Sequence, residues 1–214
     1  MITLYGRKSS DSVQKTAWML GETGRAFEHV ELGGKFGGLD GEEFLTLNPH
    51  GRVPVLVDGE LVVWESGAII RYLAASYCQG TLWLDDPSLR CVPDQWMDWG
   101  QTQVYPLVNR LFWNTVRTPG DEQDKSQIDS LLGELNSKLE KLEHQLENNF
   151  LVCGDDLSVA DITIGTPLYR YYQMPIERPD YRNLARYYER LCQRQSYRDH
   201  VMIPFDELRG RLAF

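Results

Sequence analysis

Cysteine is scarce. The 214 residues hold four, Cys78, Cys91, Cys153 and Cys192, set far apart with no C-x-x-C. With only four histidines beside them, this spacing offers neither a disulfide framework nor a zinc-ligand set, and no metal is expected. Long apolar runs are absent too, so no segment is expected to cross a bilayer. The chain opens directly on the strand-like Ile2-Thr3-Leu4-Tyr5, without the basic and apolar regions of a secretion signal. These absences point to a reduced, cytoplasmic protein. Positive charge is also in deficit: 22 Lys+Arg face 31 Asp+Glu, a net −9, the reverse of a nucleic-acid or anionic-membrane footprint. Residues that can build a core are plentiful. A content of 42% hydrophobic and 25% charged residues is that of a globular chain, and this length buries roughly 70% of the unfolded surface, as one large domain or two small ones.

The hydrophobic pattern divides the chain. Residues 1–78 alternate strand and helix signals, 79–87 read as a turn-rich linker ending in Asp85-Asp86-Pro87, and 88–214 are almost wholly helix-periodic. In the first part, Ile2–Tyr5 reads as a strand and Lys8-Ser9-Ser10-Asp11-Ser12 as a turn rich in capping residues. Val13, Ala17 and Leu20 then mark a helix that stops at Gly24. Phe27–Leu32 reads as a second strand, and Gly33-Gly34-Lys35-Phe36-Gly37-Gly38 as a mobile connection. Val53–Val57 and Leu61–Trp64 around Asp58-Gly59 form a hairpin signal. Glu65-Ser66 then opens a helix. In the second part, Ser88 is a plausible cap for one long helix from Leu89 to about Val116, bent near Pro93 or Pro106. The leucines between Asp124 and Asn148 recur at steps of three and four and read as core. Ser158-Val159-Ala160-Asp161 has capping-box spacing and heads a helix to about Tyr172, which makes Asp161 a folding element. A last helix is expected from about Asn183 to Arg194.

Two junctions have chemistry in them. Pro54 forfeits a ladder donor at a strand start; the peptide before it is either an ordinary trans bond or a cis bond that turns the Val53 N–H and C=O outward to pair with an extended peptide. At Glu65-Ser66, a strand-to-helix corner presents unpaired N–H groups and positive dipole potential. It is either a plain helix start or a carboxylate site, with Ser66 adding a hydroxyl and Glu65 pairing with an amine. The glycine-rich loop fits neither the P-loop nor the dinucleotide fingerprint.

Taken together, Leu4-Tyr5-Gly6 with its Ser-rich turn, Asn48-Pro49-His50-Gly51-Arg52-Val53-Pro54-Val55-Leu56, Trp64-Glu65-Ser66 and Leu157-Ser158-Val159-Ala160-Asp161-Ile162-Thr163 resemble the cytosolic glutathione S-transferases, with the bacterial, serine-type (theta-like) members nearest. The resemblance runs over essentially the whole chain. It implies an α/β thioredoxin-like N-terminal domain that binds glutathione, an all-α C-terminal domain that contributes the electrophile site, and a homodimer. Glutathione is the implied co-substrate and a small hydrophobic electrophile its partner; with the composition as above, no metal, nucleic acid or membrane is expected.

Position by position, the resemblance makes Pro54 a cis-proline and gives the Val53 backbone to the cysteinyl unit of glutathione. It gives Glu65 and Ser66 to the γ-glutamyl amine and carboxylate, and His50, Arg52 or Lys35 to the glycine carboxylate. The thiolate donor is expected among Ser9, Ser10 and Ser12. Aligning Val13-Gln14-Lys15 with the family's first helix puts Ser10 there, while Ser12 stands where many bacterial relatives carry Asn. Tyr5 falls within the strand and reads as packing. Tyr105, Arg110 and Trp113, with Trp99 and Arg117 nearby, are candidates for the electrophile site. Absence of Cys in the Ser-rich turn disfavours mixed-disulfide chemistry, yet disulfide or peroxide reduction and a non-catalytic binding module stay open. Lys8, Lys35, His50 and Arg52 are expected to make a locally positive cleft on an acidic protein, since glutathione is an anion.

Overall fold

The computed structural model of the protein describes residues 1–213. Its first half is a four-stranded sheet in the order β2-β1-β3-β4. Strand β1 (Ile2–Tyr5) pairs in parallel with β2 (Phe27–Val30) and antiparallel with β3 (Val55–Asp58), and β3 pairs antiparallel with β4 (Leu61–Trp64). The parallel pair requires a crossover, supplied by α1 (Asp11–Thr23), which ends where Gly24 takes the left-handed conformation. Strand β3 begins at Val55 rather than Val53, because Pro54 has no N–H for the ladder; the Val53–Pro54 bond is cis. The expected mobile connection carries structure of its own, a 3₁₀ turn at Gly34–Phe36 and the short helix α2 (Glu42–Leu47), which buries only Phe44. Helix α3 (Ser66–Tyr77) packs against α1.

The second half is helical, and its first helix runs without a break from Pro87 to Arg117, as expected, but with two changes of pitch. Asp86, not Ser88, caps α4 (Pro87–Trp99), accepting from the Ser88 N–H at 2.8 Å with Pro87 in the first turn. The chain then widens into a π-helical turn at Gly100–Val104, resumes as α5 (Tyr105–Phe112), and widens again at Trp113–Arg117. The first widening directly precedes Pro106, whose ring would collide with the carbonyl four residues back in a regular helix. Gly100 lets this turn approach α7 (Val159–Gln173): a Cβ there would lie 2.6 Å from Ile164 Cγ1. Helices α6 (Lys125–Gln145), α8 (Arg182–Gln193) and α9 (Gln195–His200) complete the half.

Asp161 serves the fold. Fully buried, it accepts from the Ser158 N–H (2.8 Å), the Ser158 hydroxyl (2.7 Å), the Val152 N–H (2.9 Å) and the Tyr187 hydroxyl (3.1 Å). One core runs through both halves, from Leu4 and Leu56 in the sheet through Trp18 to Leu135 and Leu168. Trp18 of α1 meets Tyr197 of α9 edge to face at 4.8 Å. Glu22 at the end of α1 takes both guanidinium donors of Arg194, at 3.0 and 2.7 Å. Among the described residues no helix is long and apolar enough to cross a membrane.

Candidate active site

The sheet, α1 and α3 bring three parts of the sequence to one corner. Gly6, at φ +140°, lets them close: a Cβ there would lie 2.5 Å from Val13 Cγ2 and 2.9 Å from Val53 Cβ. The head of α1 and the cis-proline segment therefore abut. Val53 contributes neither backbone group to a hydrogen bond among the described residues, so both stay available to an extended ligand. Buried Asn48 braces the loop beside it, donating to the Arg52 carbonyl at 2.8 Å and accepting from the His50 N–H at 3.0 Å. His50 is exposed and meets the Trp64 ring edge-on at 5.0 Å.

Glu65 caps α3 with φ +70°, the one non-glycine left-handed residue among those described. Such backbone costs of order 1 kcal/mol and gathers at ligand sites. It leaves the Glu65 carboxylate exposed while Ser66, 3% exposed, sits in the first turn with its hydroxyl unbonded. The sequence motif contains both residues but carries no sign of this backbone state.

The three serines have different surroundings. Ser9 is buried, its carbonyl held by Arg170 Nη2 at 2.8 Å and its hydroxyl facing the Glu207 carboxylate. Ser12 points its hydroxyl at that of Tyr105, 3.4 Å away. Ser10 is the N-cap residue of α1 in extended conformation, and its hydroxyl makes no capping bond. It stands free at a helix end where N–H groups converge.

From the second half, Tyr105 reaches this corner, and burial pushes its phenol above the ordinary range. Trp113 is 37% exposed beneath the Arg117 guanidinium, 3.8 Å from its ring centre. Trp99 instead packs on Trp96 at 5.1 Å. Arg110 is exposed and five residues beyond Tyr105, about 140° around a regular helix, so the structure does not group it with Tyr105. Tyr5 lines a separate cavity of about 730 Å³ with Phe44 and Leu47.

The expected basic cluster is not the one that forms. Lys35 pairs with Glu207 of the C-terminal segment, and Lys8 borders a cavity with His29 and His200. His50 and Arg52 alone flank Val53 as expected. Positive charge near Tyr105 comes from Arg7, Lys15 and Arg170, with Arg117 next to Arg7 and Arg170; burial lowers Arg7 and Arg117, Arg170 lowers both further, and Arg7 lowers Arg117. Arg170 and Lys15 are visible in the sequence only as lone cations within helical stretches otherwise bound for the interior.

Comparison with known proteins agrees with this architecture. The family model described as the glutathione S-transferase N-terminal domain matches residues 1–75, and that of the C-terminal domain matches residues 96–195. Glutathione S-transferase GstB of Escherichia coli K12 is 37% identical over 206 residues, covering 95% of this chain and 99% of that protein. Glutathione S-transferase F10 of Arabidopsis thaliana is 30% identical, over 93% of this chain and 95% of its own. Among solved structures, the theta class glutathione S-transferase of Xanthomonas axonopodis pv. citri with glutathione bound superposes with a TM-score of 0.90 at 39% identity, covering 95% of this chain and 98% of that one. With both domain models matched in order and relatives aligned nearly end to end, the chain belongs to the glutathione S-transferase family.

Proposed function

We propose that this transferase binds glutathione across the heads of α1 and α3, ionises its thiol with the Ser10 hydroxyl, and adds the thiolate to a small hydrophobic electrophile. The observation that carries this reading is the uncommitted Ser10 hydroxyl at the cap of α1, next to the unpaired backbone of Val53. Its neighbours Ser9 and Ser12 face Glu207 and Tyr105, so Ser10 is the serine left for a sulfur. A thiol of pKa about 8.5 is mostly protonated at neutral pH, and lowering it by two units takes about 2.7 kcal/mol. One hydrogen bond to a charged acceptor supplies about 1.5–3 kcal/mol. A helix N-terminus adds about 0.3–2 kcal/mol. The two suffice, and Ser10 keeps its own proton.

In this pose the Val53 N–H and C=O pair with the cysteinyl unit, and the α3 N-terminus with Ser66 takes the γ-glutamyl carboxylate while Glu65 takes the amine. His50 and Arg52 hold the glycine carboxylate, with Lys35 in reserve behind its pair with Glu207. Tyr105 and Trp113 line the electrophile side, with exposed Arg110 a further candidate on the same helix. Sulfur forms a bond to the electrophilic carbon, the leaving group departs with its electron pair, and the thiol proton passes to solvent. The working unit is a homodimer in the cytoplasm. Leu61 and Trp64 of β4 and Leu89 and Val92 of α4 are apolar yet 36–59% exposed, which supports cover by a second copy.

Steady-state assays with glutathione and chlorodinitrobenzene, a mixed disulfide, or a hydroperoxide test the reaction. Conjugation exceeding both reductions is expected. Reduction without conjugation contradicts the transferase reading, and no glutathione binding at all contradicts the site.

A further inference from the structure

Lys15 has no role in holding glutathione as described, yet it is 0% exposed. An ammonium deep in a protein is costly unless it is tied, and a cation near the positive end of a helix is unfavourable again. The ties are specific. Lys15 Nζ donates to Gln101 Oε1 at 2.8 Å, lies 3.8 Å from Asp11 Oδ2, and sits 3.9 Å from the centre of the Tyr105 ring.

Asp11 is itself buried, and neither of its carboxylate oxygens accepts a hydrogen bond. Its other neighbour is Arg170 Nε, 3.9 Å from Oδ1. Lys15 of α1 and Arg170 of α7 thus share one carboxylate, Asp11, in the first turn of α1. The remaining charged and titratable groups facing Lys15 are Glu65 at the cap of α3 and the Tyr105 phenol of α5, with Arg7 facing Tyr105 and Arg170. Counting Arg7, three cations here face two carboxylates, a surplus that suits an anion.

We propose that Lys15 is a positioning residue for the glutathione thiolate: locked between Asp11, Gln101 and the Tyr105 face, its ammonium keeps the Tyr105 hydroxyl against Ser12 and adds positive potential at the head of α1. The inference rests on the preceding reading that the sulfur sits at Ser10. Burial pushes the Lys15 ammonium down to about 8, with Asp11 opposing, so the charge is present at pH 7 and fades above pH 8. It is therefore available over the range in which a thiol near Ser10 must ionise.

Ultraviolet titration of the bound thiol in wild type, Lys15→Met, Lys15→Gln and Lys15→Arg tests this, alongside kcat, KM and circular dichroism. The thiol pKa is expected to rise by about one unit in the Met and Gln variants and to stay near wild type in the charge-keeping Arg variant. At pH 6.5 that shift lowers kcat roughly fivefold, with KM for glutathione within about twofold. A folded Lys15→Met protein with the wild-type thiol pKa overturns the inference; should Lys15→Met not fold, a folded Lys15→Gln protein with the wild-type thiol pKa overturns it equally. If the wild-type thiol pKa is low and responds to Ser10→Ala but not to loss of Lys15, only the role of Lys15 falls. A wild-type protein that leaves the thiol at its free value removes the Ser10 reading and this inference with it.

Discussion

Arg170 of α7 donates through Nη2 to the carbonyl of Ser9 at 2.8 Å, so a side chain of the helical half holds the turn that carries the three serines. The same guanidinium lies 3.9 Å from buried Asp11 and stacks over Phe112 at 4.3 Å. Replacing Arg170 by Met leaves Asp11 facing Lys15 alone and frees the turn. A loss of about 3 kcal/mol in urea unfolding is expected, together with reduced kcat. Arg170→Lys should recover only part of both, because an ammonium lacks the planar fork that reaches two acceptors.

Lys35 and Glu207 are 172 positions apart and form an exposed ion pair at the edge of the site. Freeing Lys35 with Glu207→Gln should lower KM for glutathione by up to about fivefold, within the range of exposed pairs, and high salt should erase the difference. An unchanged KM at low salt would remove Lys35 from the set that reaches the glycine carboxylate.

The two halves are clamped at Glu22. Burial alone would raise this carboxyl, but hydrogen bonds from Arg194, Ser196 and Trp18 outweigh it and hold the group below the usual carboxylate range. A folded pKa below the unfolded one stabilises at pH above the unfolded value, and that stability disappears as pH falls through the folded value. Glu22→Gln is expected to cost about 2 kcal/mol at pH 7. The gap from wild type should narrow on acidification below pH 4, as urea unfolding across pH would show.

Lys15 gives the opposite limb. Its folded pKa of about 8 lies below the 10.5 of the unfolded chain, so between those values the unfolded state holds a proton that the folded state lacks. Stability from this group therefore rises with pH over that window, by about 3 kcal/mol in all. Lys15→Met should lack the rise. A wild-type curve no steeper than that of the variant from pH 8 to 10 contradicts this.

Local pattern carries much of this fold. The strand-helix alternation of the first half, the Asp58-Gly59 hairpin and the Ser158–Asp161 box rest on neighbours within a few residues, and each is found in the structure. Helix α2 escapes sequence reasoning because its six residues bury only Phe44, leaving no periodic stripe. The π-helical widening before Pro106 is legible in place but not in form, since a proline marks where the helix must yield without saying how. At the site, the cis-proline and Glu65-Ser66 are visible as motifs. Burial of Lys15 and Arg170, and the capture of Lys35 by Glu207, are not, since periodicity assigns lysine and arginine to solvent and says nothing of partners far along the chain.

Ultraviolet titration of glutathione bound to wild type and to Ser9→Ala, Ser10→Ala and Ser12→Ala probes the thiolate donor most directly. A thiol pKa well below that of free glutathione is expected in wild type, with a rise of about one to two units in Ser10→Ala and much smaller changes in the other two. A thiol pKa unmoved by Ser10→Ala, or moved more by loss of Ser9 or Ser12, would contradict activation by Ser10.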